Sequence, residues 1–192
     1  IKELVLHAPL SVQSEMTACT AVLALSEDLK PQLLDMGICE VLLPLTDSPS
    51  IEVQGNSAAA LGNLSSKADD YAPFNAVWDK PAGGLHGYLV RFLESEDTTF
   101  QHIAVWTLIQ LLESGNHELE QHIRDSPHLL DLVRQLQSRI GTFESEHEQA
   151  DTSTAADTSG QDVSPEREIA ALSRRIEEIL FEESDDGTSD AK

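Results

Sequence analysis

The sequence predicts an all-α fold, a solenoid of stacked helical repeats, on three observations. First, a helical phrase of small and apolar residues at 50–65 recurs 39 residues upstream and 47 residues downstream. Second, apolar residues are spaced three and four apart along the chain, and no segment sustains the two-residue alternation of a strand. Third, periods of about 40–47 residues are typical of helical solenoids. Such arrays present binding surfaces, so the pattern favours a binding scaffold over an enzyme.

The recurring phrase also predicts which side chains form the core. Leu61 and Leu64 lie three apart on one helical face, in the two apolar positions that every copy repeats. The same positions are filled by Val22 and Leu25 upstream and by Leu108 and Leu111 downstream. We expect all of these side chains to be buried between helices.

Glycine and proline divide the chain into successive helices. Gly37 is expected to separate two of them, and Gly83 and Gly84 precede another, after a long connection at residues 67–80 that accounts for the larger second offset. The predicted helices are 1–7, 11–26, 29–36, 38–45, 51–66, 85–93, 98–114, 117–124 and 127–139.

A change in composition predicts where the solenoid ends. Residues 1–139 are rich in Leu, Val, Ile and Ala, whereas 141–163 are mostly acidic or small polar residues that bury too little apolar surface to offset their ordering entropy. We therefore assign a solenoid to 1–139, a disordered acidic linker to 140–163, an amphipathic helix to 164–183 and a disordered tail to 184–192.

The prediction of an amphipathic helix depends on apolar residues that recur at spacings of three and four: Ile169, Leu172, Ile176, Ile179 and Leu180. An isolated helix of this length is marginally stable in water, so the apolar stripe needs a surface. Three alternatives remain open: docking on the final predicted helix near residues 129–136, binding another protein, or self-association.

The chain carries 34 acidic and 12 basic residues, a formal net charge of −22. This charge argues against nucleic-acid binding, which needs basic patches, and against direct adhesion to anionic membranes. It favours basic peptides as partners. Apolar runs fall short of the roughly 18–20 residues that a membrane span needs. The first residue is Ile1, so an amino-terminal lipid anchor would not be visible in this chain.

The sequence offers little for catalysis, metals or cofactors. A glycine-flanked nucleophile turn and a phosphate-binding loop are both missing, and we predict no catalytic residue and no cofactor. His117, His122 and His128 are five and six residues apart, which does not stack them on one helical face as metal ligands, so no metal is predicted. Cys19 and Cys39 lie in apolar helical patterns and are expected to be buried, reduced thiols.

Residues 29–36, 37–47 and 51–66 form a short helix, a second helix after Gly37 and a longer third helix, and this order resembles the armadillo repeat. The resemblance implies a right-handed α-solenoid of about three to four repeats, the first and last partial, whose third helices line a groove for extended peptides. The family places an aromatic residue four positions before a groove asparagine. The groove residues that this implies are Thr20, Ala59, Asn63, Trp106 and Gln110.

Both tryptophans have alternative interpretations. Trp106 can be a groove aromatic or a core residue. Trp78, in the long connection, can pack locally on the solenoid or contact a partner.

The phrases at 48–56 and 99–108 resemble more narrowly the fungal vacuolar armadillo proteins, lipid-anchored scaffolds of the vacuole membrane. This resemblance implies a place at the cytoplasmic face of that membrane. It also implies vacuolar and autophagy adaptors as partners, and roles in vacuole inheritance, nucleus–vacuole contact, vacuole fusion and cytoplasm-to-vacuole targeting. One alternative is an armadillo-type transport receptor for basic localisation signals, although only fragments of its repeated Trp/Asn pair occur here. A regulatory subunit or enzyme with a helical-repeat body is another.

Overall fold

The computed structural model describes residues 2–80, 83–148 and 164–182, and its regular elements there are all helices. They are α1 (Lys2–Leu6), α2 (Leu10–Leu23), α3 (Lys30–Asp35), α4 (Ile38–Leu45), α5 (Ile51–Ser65), α6 (Ala72–Ala76), α7 (Gly84–Glu94), α8 (Thr98–Leu112), α9 (His117–Arg124), α10 (Pro127–Glu148) and α11 (Pro165–Glu182).

The helices are arranged in groups of three. In α3–α5, α6–α8 and α9–α11 a short first helix is followed by a middle and a third helix, and α1 and α2 supply the middle and third helices of a preceding group. The third helices pack in the order α2, α5, α8, α11, and the middle helices in the order α1, α4, α7, α10. The predicted all-α solenoid is therefore confirmed.

The buried positions follow the predicted periodicity in two of the three copies. Leu61 and Leu64 of α5 are fully buried, as are Leu108 and Leu111 of α8. The upstream copy differs, because Val22 and Leu25 are 67% and 64% exposed while Ala24 is fully buried.

The correct upstream offset is thus 40 residues, which aligns Ala24 with Leu64, and the predicted offset of 39 is wrong. A shift of one residue turns a helix by about 100°, which moves a side chain to another face. The sequence did not reveal the error because Ala24 and Leu25 are both apolar and satisfy the pattern equally well.

Helix α10 continues to Glu148, nine residues beyond the predicted end of the solenoid at Arg139. The predicted boundary was placed too early because the composition turns acidic there without a strong helix breaker. Gly141 costs about 1 kcal/mol in a helix interior, and no proline follows before Pro165. Residues 149–163 of the predicted linker and 184–192 of the predicted tail lie outside the described residues.

The long connection at residues 67–80 contains α6, the first helix of its group. Trp78, just after α6, is buried and stacks on His122 of α9 with ring centroids 5.3 Å apart, so it packs within the solenoid. Helix α7 begins against this segment, and its Leu85 N–H donates to Val77 O at 3.0 Å. Gly84 permits this approach, since its φ is 56° and a Cβ there would lie 2.3 Å from Val77 O.

Helix α11 docks within the same chain, against both α8 and α10. Ile169, Ile176 and Leu180 are buried in the core cluster that also contains Leu132 and Val133 of α10. The structure thus shows the first of the three alternatives for the terminal helix. The predicted docking surface on α10 is only part of the surface that α11 contacts. Helix α11 also packs against α8, because it occupies the third-helix position of its group.

Candidate partner-binding face

The candidate site is the surface of the packed third helices, called here the third-helix face. It comprises the half-buried and exposed side chains of α2, α5, α8 and α11. The five residues predicted from the family pattern are all half-buried and lie on three adjacent helices: Thr20 on α2, Ala59 and Asn63 on α5, and Trp106 and Gln110 on α8. The one-residue register shift aligns Cys19, rather than Thr20, with Ala59.

Asn63 connects α5 to the end of α2. Its Nδ2 donates to Ala21 O at 2.9 Å. Near the end of α2 the Leu25 N–H donates to Val22 O and not to Ala21 O, its partner in a regular α-helix. The Ala21 carbonyl therefore accepts its hydrogen bond from the side chain of Asn63. Two turns earlier on α5, Asn56 Nδ2 donates a similar hydrogen bond to Ser14 O at 3.4 Å. The bond to Ala21 O fixes the orientation of the amide, and the Oδ1 of Asn63 can accept a hydrogen bond from a ligand.

Trp106 packs across the seam between α8 and α5. A Cβ added at Gly62 would lie 2.6 Å from Trp106 Cζ3 and 2.9 Å from Thr107 Oγ1. The indole therefore rests on Gly62, while the half-buried side chain keeps part of its surface accessible. Trp106 thus packs against α5 and keeps part of its surface accessible on the third-helix face.

Acidic side chains border the face. Glu52 Oε2 on α5 accepts from Ser14 Oγ on α2 at 3.2 Å. Glu113, just after α8, lies 3.4 Å from Arg175 Nε on α11. The sequence prediction missed the contribution of α11 to this face. The available signal was its place in the repeat order, directly after a first and a middle helix.

The two cysteines differ, which corrects the expectation that both are buried. Cys39 on α4 is buried, and burial raises the pKa of its thiol to about 12, so it stays protonated at neutral pH. Cys19 on α2 is exposed. Burial also raises the pKa of Tyr88, which lies in the core near Thr107.

An open cleft lies between the segment that follows α6 and the helices α7, α9 and α10. Its lining includes Trp78, His86, His122 and His128, and His128 Nε2 lies 3.0 Å from Glu94 Oε1. Of the predicted histidine series, the cleft thus brings together His122 and His128, without His117. Over residues 2–80, 83–148 and 164–182, no group of three or more His, Cys, Asp or Glu side chains is placed to hold a metal ion.

Within the part of the chain that the structure describes, every helix is too short or too polar to span a membrane.

Comparison with known proteins defines the class first. Residues 26–66, which contain α3, α4 and α5, match the Armadillo/beta-catenin-like repeat. The fold resembles the crystal structure of an engineered protein with a TM-score of 0.63 and 26% identity, over 90% of this chain and 58% of that one. The chain is an armadillo-repeat protein.

The sequence relatives are fungal proteins named vacuolar protein 8. The chain is 64% identical to the one from Schizosaccharomyces pombe over 136 residues, 71% of this chain and 25% of the relative. It is 53% identical to that of Aspergillus oryzae over 179 residues, 93% of this chain and 28% of the relative. With Saccharomyces cerevisiae the identity is 46% over 135 residues. The chain thus spans about a quarter of the length of these relatives.

Proposed function

We propose that this chain is the partner-binding part of a non-enzymatic armadillo scaffold and that it binds extended segments of other proteins on the third-helix face. The observation that carries the proposal is the placement of Asn63, Trp106 and Gln110. These side chains are half-buried on two third helices that pack directly against each other. An amide and an aromatic surface together can hold a peptide backbone and a neighbouring side chain.

The chemistry of the face indicates which segments fit. Asn63 Oδ1 can accept a hydrogen bond from a backbone N–H, while its Nδ2 donates to Ala21 O. The accessible part of the Trp106 ring suits an apolar side chain or a cation. Glu52, together with a net charge of −22, favours basic residues in the bound segment.

The cellular setting follows from the relatives. Their shared name supports an association with the vacuole. We propose a place at the cytoplasmic face of the vacuole membrane, with vacuolar and autophagy adaptors as partners. The proposed processes are vacuole inheritance, nucleus–vacuole contact, vacuole fusion and cytoplasm-to-vacuole targeting. From the same resemblance we propose that attachment to the membrane is through an amino-terminal lipid anchor.

The test is a pair of substitutions on the face, chosen to spare the helix packing. Ala59→Arg places a long charged side chain on α5 where the native residue is small, and Gln110→Ala removes an amide from α8. The matched control is Gln32→Arg, which adds the same charge at an exposed position on α3. Immobilised chains are incubated with a detergent extract of fungal vacuoles, and captured proteins are identified by mass spectrometry.

We expect Ala59→Arg to lose proteins that the native chain and Gln32→Arg both retain, and Gln110→Ala to weaken their capture. Circular dichroism should show the same helicity for all four chains. Undiminished capture by Ala59→Arg would contradict binding on the third-helix face.

The acidic charge also favours the second candidate, a transport receptor for basic localisation signals. A labelled lysine-rich localisation peptide separates the two functions by fluorescence anisotropy. A transport receptor binds this peptide in a manner that Ala59→Arg abolishes, whereas a vacuolar scaffold retains vacuolar proteins in the presence of excess peptide.

A further inference from the structure

Helix α11 lies in a seat formed by α8 and α10, bordered by His102, Glu113, Arg124 and Arg134, which we call the helix seat. Ile169, Ile176 and Leu180 of α11 are buried in it at spacings of seven and four residues. Between them, Ser173 is also fully buried against the seat. The seat therefore recognises an amphipathic helix by three large apolar residues and two small residues, Ala170 and Ser173.

Polar contacts around the rim fix the direction and register of the bound helix. Arg124 reaches the carboxyl end of α11 and donates to the backbone carbonyls of Leu180 and Ile179, the latter at 3.5 Å. Because this contact is to backbone, it serves any helix that ends there. The side-chain contacts are Arg134 Nε to Glu177 Oε1 at 3.6 Å, Arg175 Nε to Glu113 Oε1 at 3.4 Å, and His102 Nε2 to Glu168 Oε2 at 3.2 Å, the last without hydrogen-bond alignment.

Ser173 is an imperfect fit to the seat. Its Oγ is buried without a hydrogen-bond partner in the described structure. Other buried hydroxyls on the third helices donate to carbonyls of their own helix: Thr17 to Gln13 O, Ser57 to Val53 O, Ser65 to Gly62 O and Thr107 to Ile103 O, at 2.7–2.8 Å. A buried hydroxyl without a partner destabilises the state that buries it.

From these contacts we propose that the helix seat is a binding site for an amphipathic helix of a partner protein, and that α11 is an intramolecular competitor for it. The preferred partner helix carries large apolar residues where α11 has Ile169, Ile176 and Leu180. It has alanine where α11 has Ser173, and an acidic residue facing Arg134. This site goes beyond the extended-peptide face proposed above, because its ligand is helical and replaces α11.

A second copy of this chain is a poorer occupant than such a partner. Its α11 has the same sequence and buries the same unpartnered Ser173 hydroxyl, so it makes no contact that the chain's own α11 lacks. The chain's own α11 also has the advantage of covalent attachment, which raises its effective concentration at the seat. Only a helix that fits better than α11 gains by replacing it.

The experiment uses two labelled synthetic peptides, one with the sequence of residues 165–182 and one with Ser173→Ala in that sequence. Each is titrated into the native chain and into the full chain carrying Ile176→Glu, which puts a charge at a buried position and releases α11. The matched control is Arg174→Glu, a charge change at an exposed position of the same helix. Binding is measured by fluorescence anisotropy.

We expect the Ile176→Glu chain to bind both peptides, with the Ser173→Ala peptide about tenfold tighter, since an unsatisfied buried hydroxyl is lost. The native and Arg174→Glu chains should bind at least about tenfold more weakly because α11 competes. Adding Arg124→Ala to the Ile176→Glu chain should weaken binding and so locate the peptide in the seat. Failure of both peptides to bind the Ile176→Glu chain overturns the proposal, and so does dimerisation in place of peptide binding.

A second measurement does not depend on a destabilised variant. In the otherwise native chain, Ser173→Ala should slow amide hydrogen exchange along α11 by about tenfold, because docking becomes more favourable. The control, Ser57→Ala, removes a hydroxyl that has a partner and should give no such gain. Unchanged exchange in α11 of the Ser173→Ala chain would overturn the role assigned to Ser173.

Discussion

At the residue scale, two glycines of α5 face aromatic side chains of α8 but differ in the space around them. Gly62 faces the Trp106 ring with no room for a methyl group, since an added Cβ would lie 2.6 Å from Cζ3. Gly55, two turns earlier, faces Phe100, and a Cβ there would lie at an ordinary contact distance of 3.7 Å. The same residue type thus has a steric role at one position and none at the other.

This difference predicts opposite effects for one substitution. Gly62→Ala should lower the free energy of unfolding by about 1–3 kcal/mol, because the tryptophan must move from a packed seam. Gly55→Ala should be neutral or stabilising by up to about 1 kcal/mol, since alanine favours the helix more than glycine does. Urea denaturation measures both. Equal losses in the two variants would show that Trp106 does not limit the spacing of these helices.

The repeated leucines give a second prediction at this scale. Leu61→Ala and Leu64→Ala should each lower the free energy of unfolding by about 2–5 kcal/mol, because both side chains are fully buried between helices. Leu25→Ala is the control, since Leu25 is largely exposed and its truncation should cost less than about 0.5 kcal/mol. If thermal melts showed the same loss of stability for Leu25→Ala as for Leu64→Ala, the alignment of α2 with an offset of 39 residues would be the correct one.

At the element scale, the sequence predicted most helices because their ends are marked by particular residues. Helix α4 has the predicted bounds, with Gly37 before it at a φ of 71°. The prediction failed where such markers were missing or ambiguous, at the end of α10 and in the register of α2. Composition alone placed the linker boundary too early, since an acidic segment without proline can still extend a helix.

Only part of the candidate site could likewise be predicted from the sequence. The helices that carry Asn63 and Trp106 follow from local periodicity. The bond from Asn63 to Ala21 and the seat of Trp106 on Gly62 join residues more than forty positions apart, and they depend on how two helices pack. Local sequence patterns contain no information on how the two helices pack. The packing contacts of Asn63 and Trp106 could therefore not be derived from the sequence.

At the scale of the whole molecule, each helix of the solenoid contacts only its neighbours, so stability is distributed along the stack. Helix α11 is the last third helix in this order and covers the apolar surfaces of α8 and α10. Helix α2 lies at the other end of the third-helix order, separated from α11 by α5 and α8. A change at α11 should therefore act locally before it acts on the whole chain.

Removal of residues 164–192 tests this arrangement. The loss uncovers the seat of Ile169, Ile176 and Leu180, each worth about 1.5–3 kcal/mol when buried, so amides of α8 and α10 should exchange at least about tenfold faster. Amides of α2 should change little, because nearest-neighbour contacts limit how far the effect spreads. Arg174→Glu in the full chain controls for altered charge, and light scattering should show more aggregation for the truncated chain alone. Identical protection of α8 and α10 in both chains would mean that α11 does not dock there in solution, since an exposed apolar seat cannot leave those amides equally protected.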